Sequence, residues 1–177
     1  MRIVTSGKEV DQVILHKGEV LFRQGENGPL YEVKSGLLKV VRLQEDGMPF
    51  LFNLLLPGEL IPHHSLITPK EYHGTAVALM TTEVEVIPAE AWYQELAEHP
   101  ERYREVALSL QGKLRMMQRR IDQLTPPSPK KRLDLLQQWF DQYFQGMSIN
   151  QLLTQEEIGQ LIGVRRETVN RLMRQKR

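Results

Sequence analysis

The sequence predicts an α+β chain of two domains: an N-terminal β-roll, a long connecting helix and a C-terminal helix-turn-helix. Three observations carry this prediction. Gly25, Gly36, Gly47 and Gly58 recur every eleven residues between short β-rich runs. Apolar residues then step by 4 and 3 from Tyr103 to Leu124. Finally, LTQEEIGQLIGVRRETVNRLMRQKR, residues 153–177, reads as two helices joined at a glycine. The expected boundaries are residues 1–99 for the roll, 100–125 for the long helix, 126–129 for a proline-rich hinge and 130–177 for the helix-turn-helix domain. A chain of 177 residues, 41% hydrophobic and 25% charged, has room for two such domains.

Within the first domain, the runs Leu30 to Val33, Leu37 to Leu43 and Pro49 to Leu56 are rich in β-formers and separated by the glycines. Regular short strands with glycine turns indicate an all-β roll or barrel. Asp46-Gly47 is the two-residue hairpin signal. Thr75 to Ile87 reads as one half-buried strand, with Val84 and Val86 on one side and Glu83 and Glu85 on the other.

Tyr103, Ala107, Leu110, Leu114, Met117, Ile121 and Leu124 form a heptad seam sustained for three repeats. Strict 4-3 alternation, flanked by Arg104, Lys113, Arg115 and Arg120, favours a two-stranded coiled coil over packing on the chain's own roll. The chain is therefore expected to be a homodimer. Thr125-Pro126-Pro127-Ser128-Pro129 ends that helix, because proline lacks the amide donor and blocks continuation. Residues 130–144 then form a helix whose Leu133, Leu136, Trp139, Phe140 and Phe144 face a core.

In the last segment Thr154 and Glu157 make an S/T-x-x-E capping box ahead of Ile158, Leu161 and Ile162. Gly163 terminates that helix, and Gly159 supplies the small residue needed where two helices cross through a short turn. On the second helix Arg166, Glu167, Asn170, Arg171 and Arg174 fall within an arc of roughly 140°. Val169 and Leu172 lie opposite. From Val164 onward there are six cations and one anion. A pure phosphate clamp has no use for Glu167, whereas a carboxylate accepts from cytosine N4 and arginine pairs with guanine O6 and N7. The face suits a G·C-containing half-site read in the major groove of double-stranded DNA. Arg165 stands where a Ser or Asp cap is preferred, and a phosphate contact would account for it.

Charge distribution agrees. Residues 1–99 carry a net −6, residues 100–153 a net +4 and residues 154–177 a net +3, so only the C-terminal half is built for a polyanion. No apolar run approaches 18 residues, and Met1 to Asp11 lacks a hydrophobic signal segment, which predicts a cytoplasmic protein with no membrane partner. Zero cysteines remove disulfides, thiolate iron–sulfur ligation and cysteine nucleophiles.

RETVNR with the preceding LTQEEIGQLIGV resembles the recognition motif of the cyclic AMP receptor protein / fumarate-nitrate regulator (CRP/FNR) family of bacterial transcription factors. KGE at 17–19, QGE at 24–26 and PGEL at 57–60 are similar to that family's cyclic-nucleotide-binding-like roll. The resemblance implies a sensor domain at residues 1–99, RNA polymerase as a partner, and base contacts within a palindromic TGTGA-like site by the residues matching Arg166, Glu167 and Arg171. It also implies a β-hairpin wing after the recognition helix. Only Met173 to Arg177 follow Leu172, so a truncated winged helix is expected, locally less stable than the roll.

The departures from the family concern its effector. Nucleotide-binding members place an Arg-Ser-Ala-like stretch where this sequence has Tyr72-His73-Gly74, and tyrosine cannot offer phosphate the arginine fork. Met117 and Gln118 stand where the purine is read. The remnant pocket, comprising Gly58, Glu59, Tyr72, His73 and Met117, is expected to ignore cyclic AMP, leaving the effector unknown and no cofactor implied. A rival from another class is a metal-dependent cupin-type enzyme, suggested by His63, His64, Glu71 and His73. Adjacent His63 and His64 would point to opposite faces of a strand, so loop histidines, no metal and no catalytic residues are the expectation. A third possibility is a wing-less dimerisation module that does not bind DNA.

Overall fold

The computed structural model describes residues 11–144 and 146–175, so nearly all of the stretch read for a leader, together with Lys176 and Arg177, lies outside the described residues. The chain divides into two compact units, one ending at Gln111 and the other beginning at Gly112.

Among the described residues the first unit holds eight strands: β1 (Gln12–Leu15), β2 (Val20–Phe22), β3 (Leu30–Ser35), β4 (Leu38–Leu43), β5 (Pro49–Leu55), β6 (Leu60–Ile61), β7 (Thr75–Ala78) and β8 (Thr82–Ile87). They form two antiparallel four-stranded sheets, ordered β1-β8-β3-β6 and β2-β7-β4-β5. Inward residues alternate along each strand and make one core of Leu15, Phe22, Val33, Leu38, Ile61, Ala76 and Val84 among others. Glycines at the eleven-residue period all have positive φ, 83°, 87°, 77° and 84°. At Gly36 the constraint is also spatial, since a Cβ would lie 2.5 Å from the Thr81 carbonyl oxygen.

Two local expectations are corrected. Thr75 to Ile87 is not one strand: it breaks at Leu79–Thr81, and its halves, β7 and β8, join different sheets. The turn is held by Thr82, whose hydroxyl accepts from Leu37 N at 3.1 Å and lies 2.9 Å from the Met80 carbonyl. Asp46-Gly47 does not form a two-residue hairpin either. Gln44 N donates to Met48 O at 3.0 Å, leaving a three-residue loop with Gly47 in the left-handed region, the next commonest hairpin form.

Helix α1 (Ala89–Glu98), absent from the elements predicted above, and the start of α2 (Arg102–Asp122) close a second cluster of Leu30, Leu60, Leu66, Ile87, Trp92, Leu96 and Val106. Trp92 Nε1 donates to Leu66 O at 3.0 Å, which satisfies a buried polar group. The helix α2 ends at Asp122, ahead of the prolines, so Leu124 sits in a following turn (Leu124 N to Ile121 O, 2.9 Å) rather than on the helix.

The second unit contains the rest of α2, α3 (Pro129–Tyr143), α4 (Ile149–Leu152), α5 (Gln155–Ile162) and α6 (Arg166–Arg174). Ser128 caps α3 and Pro129 occupies its first turn, where its missing donor costs nothing. Leu133, Leu136, Trp139, Phe140, Phe144, Ile149, Ile158, Ile162 and Val169 are buried here.

Candidate nucleic-acid interface

The arrangement of α5 and α6 follows from a few local interactions. Thr154 N donates to Glu157 Oε2 at 2.8 Å and Glu157 N to Thr154 Oγ1 at 3.2 Å, so two orphan donors at the start of α5 are satisfied. Gly163 ends α5 in the left-handed conformation, with φ 66°. A Cβ on Gly159 would fall 2.6 Å from the Val164 carbonyl oxygen, so the turn approaches α5 more closely than any other residue permits. Val169, 0% exposed, anchors α6 from below.

That anchoring leaves the opposite face of α6 in solvent. Arg166, Glu167, Arg171 and Arg174 are exposed and Asn170 is half-buried, all on one side of a nine-residue helix. Glu167, Asn170, Arg171 and Arg174 line one shallow groove. Arg165 is the N-cap in extended backbone, and its side chain makes no capping bond. Asn170 and Arg174 also border a cleft of about 730 Å³ whose other walls include Ser148, Asn150, Thr154 and Gln155. Ser148 and Asn150 were not singled out from the sequence. The signal was the Ser148-x-x-Gln151 spacing, realised as Ser148 N donating to Gln151 Oε1 at 3.0 Å.

The heptad seam on α2 stays open. Leu114 and Ile121 are 57% and 62% exposed, Tyr103, Ala107, Met117 and Leu124 are exposed too, and only Leu110 packs partly against the chain's own core. Leu114, Met117 and Ile121 thus form an exposed apolar stripe on the helix, larger than the scattered apolar residues of an ordinary surface.

Of the residues matched to the family's effector pocket, Gly58, Glu59 and Tyr72 are engaged within the first unit. Gly58 N donates to Val33 O at 2.7 Å and Val33 N to Glu59 O at 3.0 Å, so this dipeptide is turn chemistry. Tyr72 is buried, stacks on Phe22 with ring centres 4.1 Å apart, and donates its hydroxyl to Pro29 O at 2.7 Å. Burial and the neighbouring Tyr31 push its phenol pKa far above the ordinary value. Gly28 leaves room for that hydroxyl, since a Cβ there would collide with it. Met117 is exposed on α2, in the second unit.

The histidines proposed as rival metal ligands are separately engaged. His63 pairs with Glu59 at 3.2 Å, while His64 shares a hydrogen bond with Glu71 O at 2.9 Å and lies against His73 with ring centres 4.1 Å apart. Burial first, and then the adjacent His73, His63 and Lys70, lower the His64 pKa. Among the described residues no three His, Cys, Asp or Glu side chains gather as metal ligands, and no helix is long and apolar enough to cross a membrane.

Comparison with known proteins fits this geometry. Residues 12–99 match the family model for the cyclic nucleotide-binding domain, and residues 133–177 match that for the Crp-like helix-turn-helix domain. The chain is 28% identical over 172 residues to the CRP-like cAMP-activated global transcriptional regulator of Mycobacterium tuberculosis, covering 94% of this chain and 77% of that one. It is 30% identical over 163 residues to the cyclic AMP receptor protein of Thermus thermophilus, covering 89% and 72%. The fold is similar to the structure of FixK2 from Bradyrhizobium japonicum, with a TM-score of 0.76 at 20% identity over 95% of this chain and 84% of that one.

Proposed function

Because the chain belongs to the CRP/FNR family of bacterial transcription regulators, we propose that it works as a homodimer reading a palindromic DNA site, without gating by cyclic AMP. It is a DNA-binding regulator and not an enzyme. In the proposed division of labour residues 1–99 are the sensor, 100–125 the dimer helix, 126–129 the hinge and 130–177 the reader.

One observation carries the proposal: Arg166, Glu167, Asn170, Arg171 and Arg174 share the solvent face of a helix anchored through Val169. Laid in the major groove, Arg166 and Arg171 take guanine O6 and N7, Glu167 accepts from cytosine N4, and Asn170 supplies a further polar contact. Arg165 and the uncapped start of α6 suit a phosphate oxygen, as Arg174 does at the far end. TGTGA-like half-sites supply the G·C pairs. The open seam of α2 supports the dimer, since two copies packed through it would remove its exposed apolar positions, Leu114, Met117 and Ile121 above all, from water. Tyr72 supports independence from cyclic AMP: a buried, hydrogen-bonded phenol stands where the family's clamp is cationic. RNA polymerase is the proposed partner for transcriptional output, and a cytoplasmic location follows from a role on the chromosome.

Titrating a palindromic duplex of two TGTGA-like half-sites with the purified protein, with and without cyclic AMP, tests this function. We expect saturable binding that exceeds that of a scrambled duplex and is unchanged by the nucleotide. Equal affinity for both duplexes would contradict sequence reading, and a nucleotide-dependent gain would contradict the effector assignment.

A further inference from the structure

The second compact unit carries two functional surfaces in one body: the seam positions Leu114, Met117, Ile121 and Leu124, and the recognition helix α6. Between α2 and α3 the backbone of residues 123–128 is non-helical, so the unit needs a side-chain connection across this joint. Arg120 provides one. At about 100° per residue it lies roughly 90° round α2 from the centre of Leu114, Met117 and Ile121, on the flank of the stripe. Its guanidinium carbon is 5.6 Å from the centre of the Trp139 ring, and Nη1 donates to Gln123 Oε1 at 3.1 Å. The side chain is half-buried, while neighbouring Arg119 and Ile121 are exposed. Burial of that kind draws the guanidinium pKa below its usual value and is unfavourable unless something takes up the charge.

The indole face does so. Trp139 is itself held in place, buried in the core of α3 with Phe140 edge-on at 5.2 Å and Tyr143 at 5.2 Å. A planar guanidinium lies against an aromatic face in a way that the ammonium of lysine does not reproduce. The contact therefore fixes direction as well as proximity.

We propose that Arg120, seated on Trp139, is the positioning residue that sets the angle between the dimer helix and the recognition helix, and thereby the half-site spacing the regulator accepts. This rests on the homodimer and palindrome reading above. In a two-fold dimer the spacing of half-sites mirrors the separation and rotation of the two recognition helices, with each base pair adding about 3.4 Å along the DNA axis. A rigid joint selects one spacing. A loosened joint lets α6 follow its half-site when a base pair is added or removed.

The test uses the full chain and a set of duplexes in which two half-sites are moved one or two base pairs closer or further apart, together with a duplex carrying a single half-site. Wild type should favour one spacing. Arg120→Ala, and Arg120→Met, which keeps the apolar stem but drops the charge, should each lower the ratio of best to next-best spacing by about five-fold. Their affinity for the single half-site should stay within about two-fold of wild type, and Arg120→Lys should fall between wild type and Arg120→Ala. A merely structural role would depress the single half-site and every spacing alike, which would overturn the proposal. So would spacing profiles in both variants that match wild type. If wild type gains nothing from a second half-site, the palindrome reading falls and takes the proposal with it. A wild-type preference that both variants retain overturns the proposal alone.

Discussion

Gly159 shows how one missing side chain sets the geometry of the helix-turn-helix. Its missing Cβ leaves the Val164 carbonyl room to cross α5, so Gly159→Ala should destabilise the second unit by about 1–3 kcal/mol, measured by thermal or denaturant unfolding. On the proposed function, substitution on the solvent face of α6 acts on recognition rather than folding, because those side chains are exposed. Arg166→Ala or Arg171→Ala should each cost on the order of 1–3 kcal/mol on the specific duplex and relax preference at one G·C pair per half-site, read by competition with single-base variants. In the first unit His64 gives a pH dependence of definite sign. Burial lowers its pKa in the folded protein, so the unfolded chain binds the proton first as pH falls. Stability is therefore full above about pH 6.5, the ordinary value for histidine, and declines as pH drops through the folded value. Melting temperatures between pH 7.5 and 5 should fall, and His64→Gln should flatten that slope.

Among the elements, α2 has an apolar stripe that is largely exposed, Leu114 and Ile121 most of all. Leu114→Asp places a charge in the middle of that stripe, and light scattering should then report monomer where wild type is dimer. A wild type already monomeric at about 10 µM, an ordinary dimer affinity, would contradict the coiled-coil assignment. The elements also show where the sequence could be read. The capping box at Thr154, the terminator at Gly163 and the alternation of α3 are local signals, and the structure carries each of them where its residues stand. The break between β7 and β8 was hidden because Thr75 to Ile87 keeps its β-propensity throughout. What turns the chain is a non-local hydroxyl contact from Thr82 to the Leu37 segment, 45 residues away. Asp46-Gly47 announced a turn but not its length, which strand pairing decides. Likewise, the end of α2 at Asp122 was obscured by the apolar Leu124, which continues the seam pattern beyond the last helical turn.

For the whole molecule, the solvent face of α6 and the seam positions Leu114, Met117, Ile121 and Leu124 belong to one unit, and the core of the β-roll is filled by its own aromatic side chains, Phe22, Tyr31 and Tyr72. The family and its helix-turn-helix were legible because RETVNR and the glycine turn are short, local and chemically specific. The use made of Gly58, Glu59 and Tyr72 was less so, since only the packed roll shows a dipeptide bonded to Val33 and a phenol bonded to Pro29. In the proposed homodimer α6 reads DNA sequence twice, once from each copy. Selection of bound duplexes from a random pool, followed by sequencing, tests it most directly. The predicted result is an inverted repeat of TGTGA-like half-sites, degenerate at one G·C position per half-site when Arg166→Ala or Arg171→Ala is used instead. A pool that emerges unenriched, or enriched in a motif those two substitutions leave unchanged, would contradict it.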